Sequence, residues 1–389
     1  GGKHMKIKKI IPLKTIKRYV PPISIILFLL ISTQLFQSYQ FSQIEDIDFV
    51  AGLGCDIDTS MEKKIYSIPV LTYDFSDINQ PSSILIETKG STPVEARVNR
   101  QLHTGKKFSL GTEKVYVFSK KFAEEGISFV LDGLMKINQV SNSAVVVTTS
   151  NDPRDILTLK IPGYPTAPDY MLGLIKSLQS YSYFLNKQTL STAYIQNSTE
   201  GCKFLAPNLD IVNDKIYFTS LSVFDKGKMV SSIPITLMKY VNILRNPSGS
   251  GIATFSLDDN NLLTFNVTSK RKVKCTKNEN NTFNFDIDLD VKGSLSNNNT
   301  STIKIGDFPY RKKELEEKIA SYMQSSLIDF INIMKTDYKM DLLNLGYIAA
   351  SKYGRHKITD WDEEILKSTI NVNVNFKISR FGLGRIVFD

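Results

Sequence analysis

The chain has 389 residues, of which 42% are hydrophobic and 22% charged, the balance of a globular protein with core enough for two or three domains. Seven of its nine net positive charges (Lys3, Lys6, Lys8, Lys9, Lys14, Lys17 and Arg18) precede the first acidic residue, Glu45, so residues 19–389 carry only +2. A nucleic-acid binder needs basic charge on its folded surface. Here the excess sits in a tail, and nucleic acid is excluded as a partner.

No charged residue occurs from Tyr19 to Ile44. The apolar run, with Ile23, Ile26, Leu27, Leu30 and Phe36, is read as a membrane anchor, because residues 19–41 reach the roughly 20 residues that a helix needs to span a bilayer. Tyr19, Tyr39 and Phe41 suit its interfaces, and the basic residues ahead of the run put the N-terminus inside and the remainder outside. A cleaved signal peptide is the alternative, but no small-x-small site follows Phe36. The expected organisation is a basic tail with anchor or signal segment at 1–43, an N-terminal α/β region at 44–208 and a C-terminal domain at 209–389.

Residues 47–57 form a buried strand in which Gly52 and Gly54 allow close backbone approach. A strand over 65–75 meets Pro69, which places it at an edge or bulge. Thr92, Pro93 and Glu95 carry the signals of a helix start. Val94, Val98 and Leu102 then recur on one face, and Gly105 closes the helix. A strand at 114–119, helices at 120–125 and 127–140 and a strand at 144–148 complete an α/β pattern. Asp152-Pro153 and Pro162–Pro168 interrupt it, residues 169–194 read as helical, and a boundary falls near 205–212.

In the second half, strands at 215–225 and 228–235 flank a turn at Gly227, and 236–245 is a helix. A loop at 246–251 leads to strands at 252–257, 262–275 and 283–291, with Asn-rich loops at 278–281 and 297–299. Leu315, Ile319, Met323, Leu327 and Ile331 repeat every four residues in a helix over 312–335, whose first turn holds Glu314, Glu316 and Glu317. A helix at 342–353 takes Asp341 as N-cap and Gly354 beyond its end. In the last strand Ile370, Val372, Val374, Phe376 and Ile378 oppose Asn371, Asn373, Asn375 and Lys377. The predicted fold is α/β (α+β) and multi-domain, ending in a mixed or antiparallel sheet covered on one face by helices.

Chemistry is sparse. Cys55, Cys202 and Cys275 are odd in number and far apart, and make neither a disulfide framework nor a zinc set. The histidines are His4, His103 and His356, and no zincin, nucleophile-elbow or phosphate-loop motif occurs. Gly249-x-Gly251 is read, like Gly52-x-Gly54, as tight backbone geometry. Asp286, Asp288 and Asp290 share one strand face. Successive carboxylates there lie about 6.6–6.8 Å apart, too far for one calcium ion with ligands at about 2.3–2.6 Å. Antiparallel pairing with Lys270, Lys272 and Lys274 is the simpler reading. Trp361 is a core anchor, with a subunit interface as the alternative. No catalytic residue, metal or cofactor is expected.

Four stretches, in order, resemble the Ger(x)C family, the C subunits of spore germinant receptors. They are Ile44–Ile57; Glu95–Arg97 with Gly105–Phe108 and Glu113–Gly126; Ser222–Val230; and Tyr338–Gly346 with Trp361 and Asn371–Gly382. The resemblance implies a three-domain α/β protein on the outer face of the spore inner membrane, working with a multispanning A-type and a transporter-like B-type subunit, with no catalytic residues. The family usually carries a lipidated cysteine directly after its signal sequence. Here the nearest is Cys55, so the apolar segment itself is expected to replace the lipid. A stand-alone surface-anchored ligand-binding or scaffold protein is the alternative function, and a membrane-anchored hydrolase lacks its motifs.

Overall fold

The structure, a computed structural model, describes residues 22, 24–32, 46–60, 63–76, 82–181, 183, 188–258, 261–280, 282–300 and 308–380. Its strands are β1 (Ile47–Asp58), β2 (Ile65–Ser67), β3 (Val70–Asp74), β4 (Ser82–Ile86), β5 (Lys89–Gly90), β6 (Lys107–Ser109), β7 (Val115–Ser119), β8 (Val145–Thr149), β9 (Phe204–Val212), β10 (Lys215–Asp225), β11 (Lys228–Pro234), β12 (Ser248–Asp258), β13 (Asn261–Lys277), β14 (Phe283–Thr300) and β15 (Thr369–Arg380). Its body helices are α1 (Pro93–His103), α2 (Lys120–Glu125), α3 (Ser128–Met135), α4 (Pro153–Thr158), α5 (Ala167–Tyr181), α6 (Leu190–Ser198), α7 (Ile235–Arg245), α8 (Phe308–Ile333), α9 (Leu345–Tyr353) and α10 (Trp361–Lys367).

Short, almost wholly apolar runs make the centre of an eleven-stranded sheet, where β1, β7, β8 and β9 lie parallel. Parallel strands are joined by crossover helices and so are buried on both faces. Val115, Val117, Val145, Val147, Leu205 and Leu209 face one core, shared with α5, α7 and the second sheet. Their neighbours Tyr116, Phe118, Val146, Phe204 and Ala206 face another, under α2, α3 and α6. The hairpin β10–β11 and the strands β2 and β3 extend the sheet with antiparallel pairs.

The second sheet has the order β12-β13-β14-β15, antiparallel except for the last pair. Its inner side chains, among them Phe265, Phe285, Ile287, Leu289 and Phe376, are buried against α8 residues Leu315, Ile319 and Leu327. Its outer face is polar, which period-two alternation requires of a sheet covered on one side.

The glycine pair in β1 has the expected use. A Cβ on Gly52 would lie 2.7 Å from Pro168 Cγ, and one on Gly54 would lie 2.7 Å from both Pro153 and Pro69. Two of the prolines that interrupt the pattern in sequence, Pro153 and Pro168, stand at helix starts. Asp152 accepts the Arg154 N–H at 2.8 Å with Pro153 in the first turn of α4, and Pro168 lies at the head of α5.

Other expectations need correction. The strand over 65–75 is two strands, β2 and β3, because Pro69 turns its carbonyl to Gly54 N–H at 2.8 Å. The helix expected at 127–140 stops at Met135, and the one at 169–194 is α5 and α6 separated near Tyr183. Residues 248–251 and 297–299, read as loops, are strand, held by the β13 partners Val267–Lys270 and Leu262–Thr264. The helix of 312–335 starts earlier, at Phe308, so Glu314, Glu316 and Glu317 lie beyond its first turn. Buried Glu316 instead accepts the Ile378 N–H of β15 at 2.8 Å. Thr104, in extended conformation, closes α1 rather than Gly105, and the face of Val94, Val98 and Leu102 is exposed while Ala96 and Arg100 are buried. Residues 204–212 form β9, which pairs with β8 and β10 in the large sheet.

Contacts divide the chain between Ile47 and Asp48. In the N-terminal unit, residues 24–32 are helical and Ile26, Leu27 and Leu30 are exposed. Ile23 and Phe36 lie outside the described residues. Among the described residues no helix is long and apolar enough to cross a membrane.

Candidate functional site

A polar joint connects the chain between α6 and β9 to the segments around α9 and α10, and opens to a cleft of about 380 Å³. Its base is a backbone contact. Gly201 has φ +69°, and a Cβ there would lie 2.4 Å from Gly346 C and Tyr347 N. Its carbonyl accepts the Tyr347 N–H at 3.1 Å. Gly346 in turn lies under Trp361, whose Cβ would be 3.0 Å from an added Cβ. Two glycines face to face let the segments meet where any side chain would hold them apart.

Charged groups close the joint. Lys203, buried between the two segments, places Nζ 2.7 Å from Asp362 Oδ2 and 3.3 Å from Asp225 Oδ1. Asp362 accepts the Asp341 N–H at 2.8 Å through its other oxygen. Glu200 accepts the Trp361 indole N–H and the His356 backbone N–H, each at 2.8 Å, and these donors hold its carboxyl below the usual range. Trp361 is a core residue with one polar contact: it is buried, and its ring centroid lies 5.8 Å from that of Phe283.

Asp341, expected to cap a helix from 342, sits further back. The helix α9 begins at Leu345 after Asn344 in the left-handed region. The Asp341 carboxylate still serves that helix end, accepting the Leu343 N–H at 2.9 Å and the Gly346 N–H at 2.8 Å. Burial pushes its pKa up to about 6, against the lowering effect of those two N–H groups. The Arg245 guanidinium, fully enclosed at the end of α7, donates to the Leu342 carbonyl at 3.0 Å, to Gln196 Oε1 at 3.2 Å and to the Lys203 carbonyl. Its pKa falls to about 10 through desolvation, so it stays charged at neutral pH.

The arrangement ties the two segments together through charges that pair with one another. Burial pushes the Cys202 thiol up to about 11, where it stays protonated and a poor nucleophile. Glu200, Lys203 and Asp362 are all engaged by the protein itself. The rim of the cleft carries Asp360, Lys226 and His356.

On the outer face of the second sheet the expected register is present: Lys270, Lys272 and Lys274 stand opposite Asp290, Asp288 and Asp286. The hydrogen bonds to those carboxylates come from the other neighbour. Asn371, Asn373 and Asn375 donate to Asp286, Asp288 and Asp290 at 2.9, 3.0 and 3.0 Å, because β15 pairs with β14 parallel and in step.

Sequence reasoning singled out Asp341, Gly346 and Trp361 but not Glu200, Gly201, Lys203 or Arg245. The one local signal was Gly201, a residue that can take positive φ, three positions past the last residue of α6. Which segment it meets, 145 positions later, has no local trace.

Two sheets with their helices, packed on a shared apolar core and tied again at the polar joint, define a mixed α/β protein, and the comparisons place it more closely. Residues 40–211 match the family model described as spore germination protein N-terminal domain, and residues 219–382 match spore germination B3/GerAC like, C-terminal. The chain belongs to this GerAC-like, or Ger(x)C, family of spore germination proteins, which is not a known enzyme class. The crystal structure of the GerBC protein shares its fold, with a TM-score of 0.53 and 14% sequence identity over 84% of this chain and 97% of that one. A search of curated proteins finds no match. Two of the stretches that resemble the family, around Asp225 and from Asp341 to Trp361, converge on the joint.

Proposed function

We propose that the chain is the C-type subunit of a nutrient germinant receptor, held by its N-terminal segment with its body on the extracytoplasmic face of the spore inner membrane, and working there with A-type and B-type membrane subunits. The observation that carries the reading is the ordered match of both family domains over residues 40–382. The apolar run around Ile23, Ile26, Leu27, Leu30 and Phe36, preceded by six basic residues from Lys6 to Arg18, supplies the tether. The body contributes a non-enzymatic scaffold, and the joint with its charged rim is its candidate docking point.

Deletion of the gene is expected to abolish or slow germination with nutrients while leaving a non-nutrient trigger effective. Normal nutrient germination in a strain lacking paralogues overturns the proposal. Tight binding of a small molecule by the isolated chain, with no membrane subunits co-purifying from spores, would favour the stand-alone surface protein instead.

A further inference from the structure

Helix α1 wears its amphipathicity inside out. Val94, Val98 and Leu102 are 71%, 54% and 76% exposed, while Ala96 and Arg100 face the body, where the Arg100 guanidinium lies 4.5 Å from the Phe108 ring centroid. Surface helices turn their apolar stripe inward, and a contiguous apolar stripe left outside marks an interaction site.

Its position narrows the partner. From α1 the chain runs into β6, which pairs with β1, and Lys106 Nζ lies 3.8 Å from Asp48 Oδ1, at the entry to the body. The strand β3 runs antiparallel to β1, which brings Phe75, 63% exposed, to the same end. Phe75 packs against Phe49 and Tyr73 with ring centroids at 6.1 and 5.9 Å. The proposed anchor ends at residue 41, and the six residues 42–47 reach at most about 20 Å, comparable with the length of α1, about 16 Å. Any bilayer that holds the anchor therefore lies within about 20 Å of the start of β1.

We infer that the outer stripe of α1, together with Phe75, rests in the headgroup layer of the bilayer that carries the N-terminal segment. Arg97, Lys106 and Lys107 border the face, but so do Asp48, Asp74 and Glu95, so the contact is chiefly apolar and does not depend on anionic lipid. An aromatic ring and aliphatic side chains beside charged residues suit that layer. The inference rests on the tether of the proposed function, and the test separates the two.

The full chain, wild type and Leu102→Trp, is reconstituted in phosphatidylcholine vesicles with brominated acyl chains, with and without anionic phosphatidylglycerol. Flotation reports the tether, and quenching of the emission added by the Leu102→Trp indole reports the face. The expected result is flotation with both lipids and a roughly twofold loss of the added emission in both, as for a side chain sunk to the acyl boundary. That loss should disappear in Val98→Asp and Phe75→Asp backgrounds that still float. Flotation without quenching, or quenching indifferent to Val98→Asp and Phe75→Asp, overturns the inference and leaves the tether standing. Failure to float with no quenching overturns both. Quenching that is lost when the other receptor subunits are added assigns the face to a protein partner and also overturns it.

Discussion

The two sheets solve the same burial problem differently. The eleven-stranded sheet hides both faces of β7 and β8, and each of these strands is buried along its whole length. The four-stranded sheet hides one face and lines the other with lysine, aspartate and asparagine in register. The first therefore has no tolerance for charge on either side of its central strands, while the second can vary its outer rows freely provided its inner row stays apolar. The polar joint at Gly201 and Gly346 belongs to neither pattern. It is built from backbone contact and paired charge, and it ties the segments between β14 and β15 to the entry of β9 in the first sheet.

The contrast between faces can be broken most directly at β14. Phe285→Ala is expected to destabilise the protein by about 3–5 kcal/mol, read as a shift of the denaturation midpoint. Asp288→Ala, three residues further on the opposite face, should cost under about 1 kcal/mol. Equal costs would mean that the outer row is buried by something else. The joint comes next. Gly201→Val places a β-branched residue at positive φ against backbone, and a loss of about 3 kcal/mol or more is expected. Wild-type stability in that variant would show that the two segments are free to separate.

A smaller effect depends on pH. Asp341 has a folded-state pKa of about 6, above its unfolded value of about 3.9. Its proton is thus held more tightly by the folded chain. The resulting stability is fully present below about pH 4 and is lost as pH rises through about 6, a difference on the order of 3 kcal/mol. Relative to Asp341→Asn, the wild-type protein should gain stability as pH falls from about 6 to 4, measured by denaturant midpoints across that range. A gap that stays flat, or narrows, contradicts the buried carboxylate. The smallest effect is in the ladder. A double-mutant cycle on Asp288→Ala and Asn373→Ala should give a coupling of about 0.2–1 kcal/mol. A value near zero would reduce the ladder to mere adjacency.

Much of the fold was legible. Alternation in β14 and β15, the four-residue repeat of α8, the hairpin at Gly227 and the Thr92–Glu95 helix start all appear where residue periodicity and capping chemistry put them. The register of Lys270, Lys272 and Lys274 against the aspartates followed from a short connection. The site was less legible. Asp341, Gly346 and Trp361 stood out, but Lys203 and Arg245 read as ordinary charged residues beside a helix or strand. Their partners lie far along the chain, and a buried cation looks the same in sequence as a solvated one.

Sequence by itself determined which residues share a face, since that depends only on the periods of helix and strand. It also determined the family, whose marks are spread over most of the chain. Tertiary structure alone decided whether a face is covered. The stripe of α1 has the spacing of a core helix and points to solvent, because the body packs on Ala96 and Arg100 instead. It also decided which strand the β14 aspartates bond to, and that Gly201 meets Gly346. These are pairings between distant segments, and no local pattern encodes the distance between them.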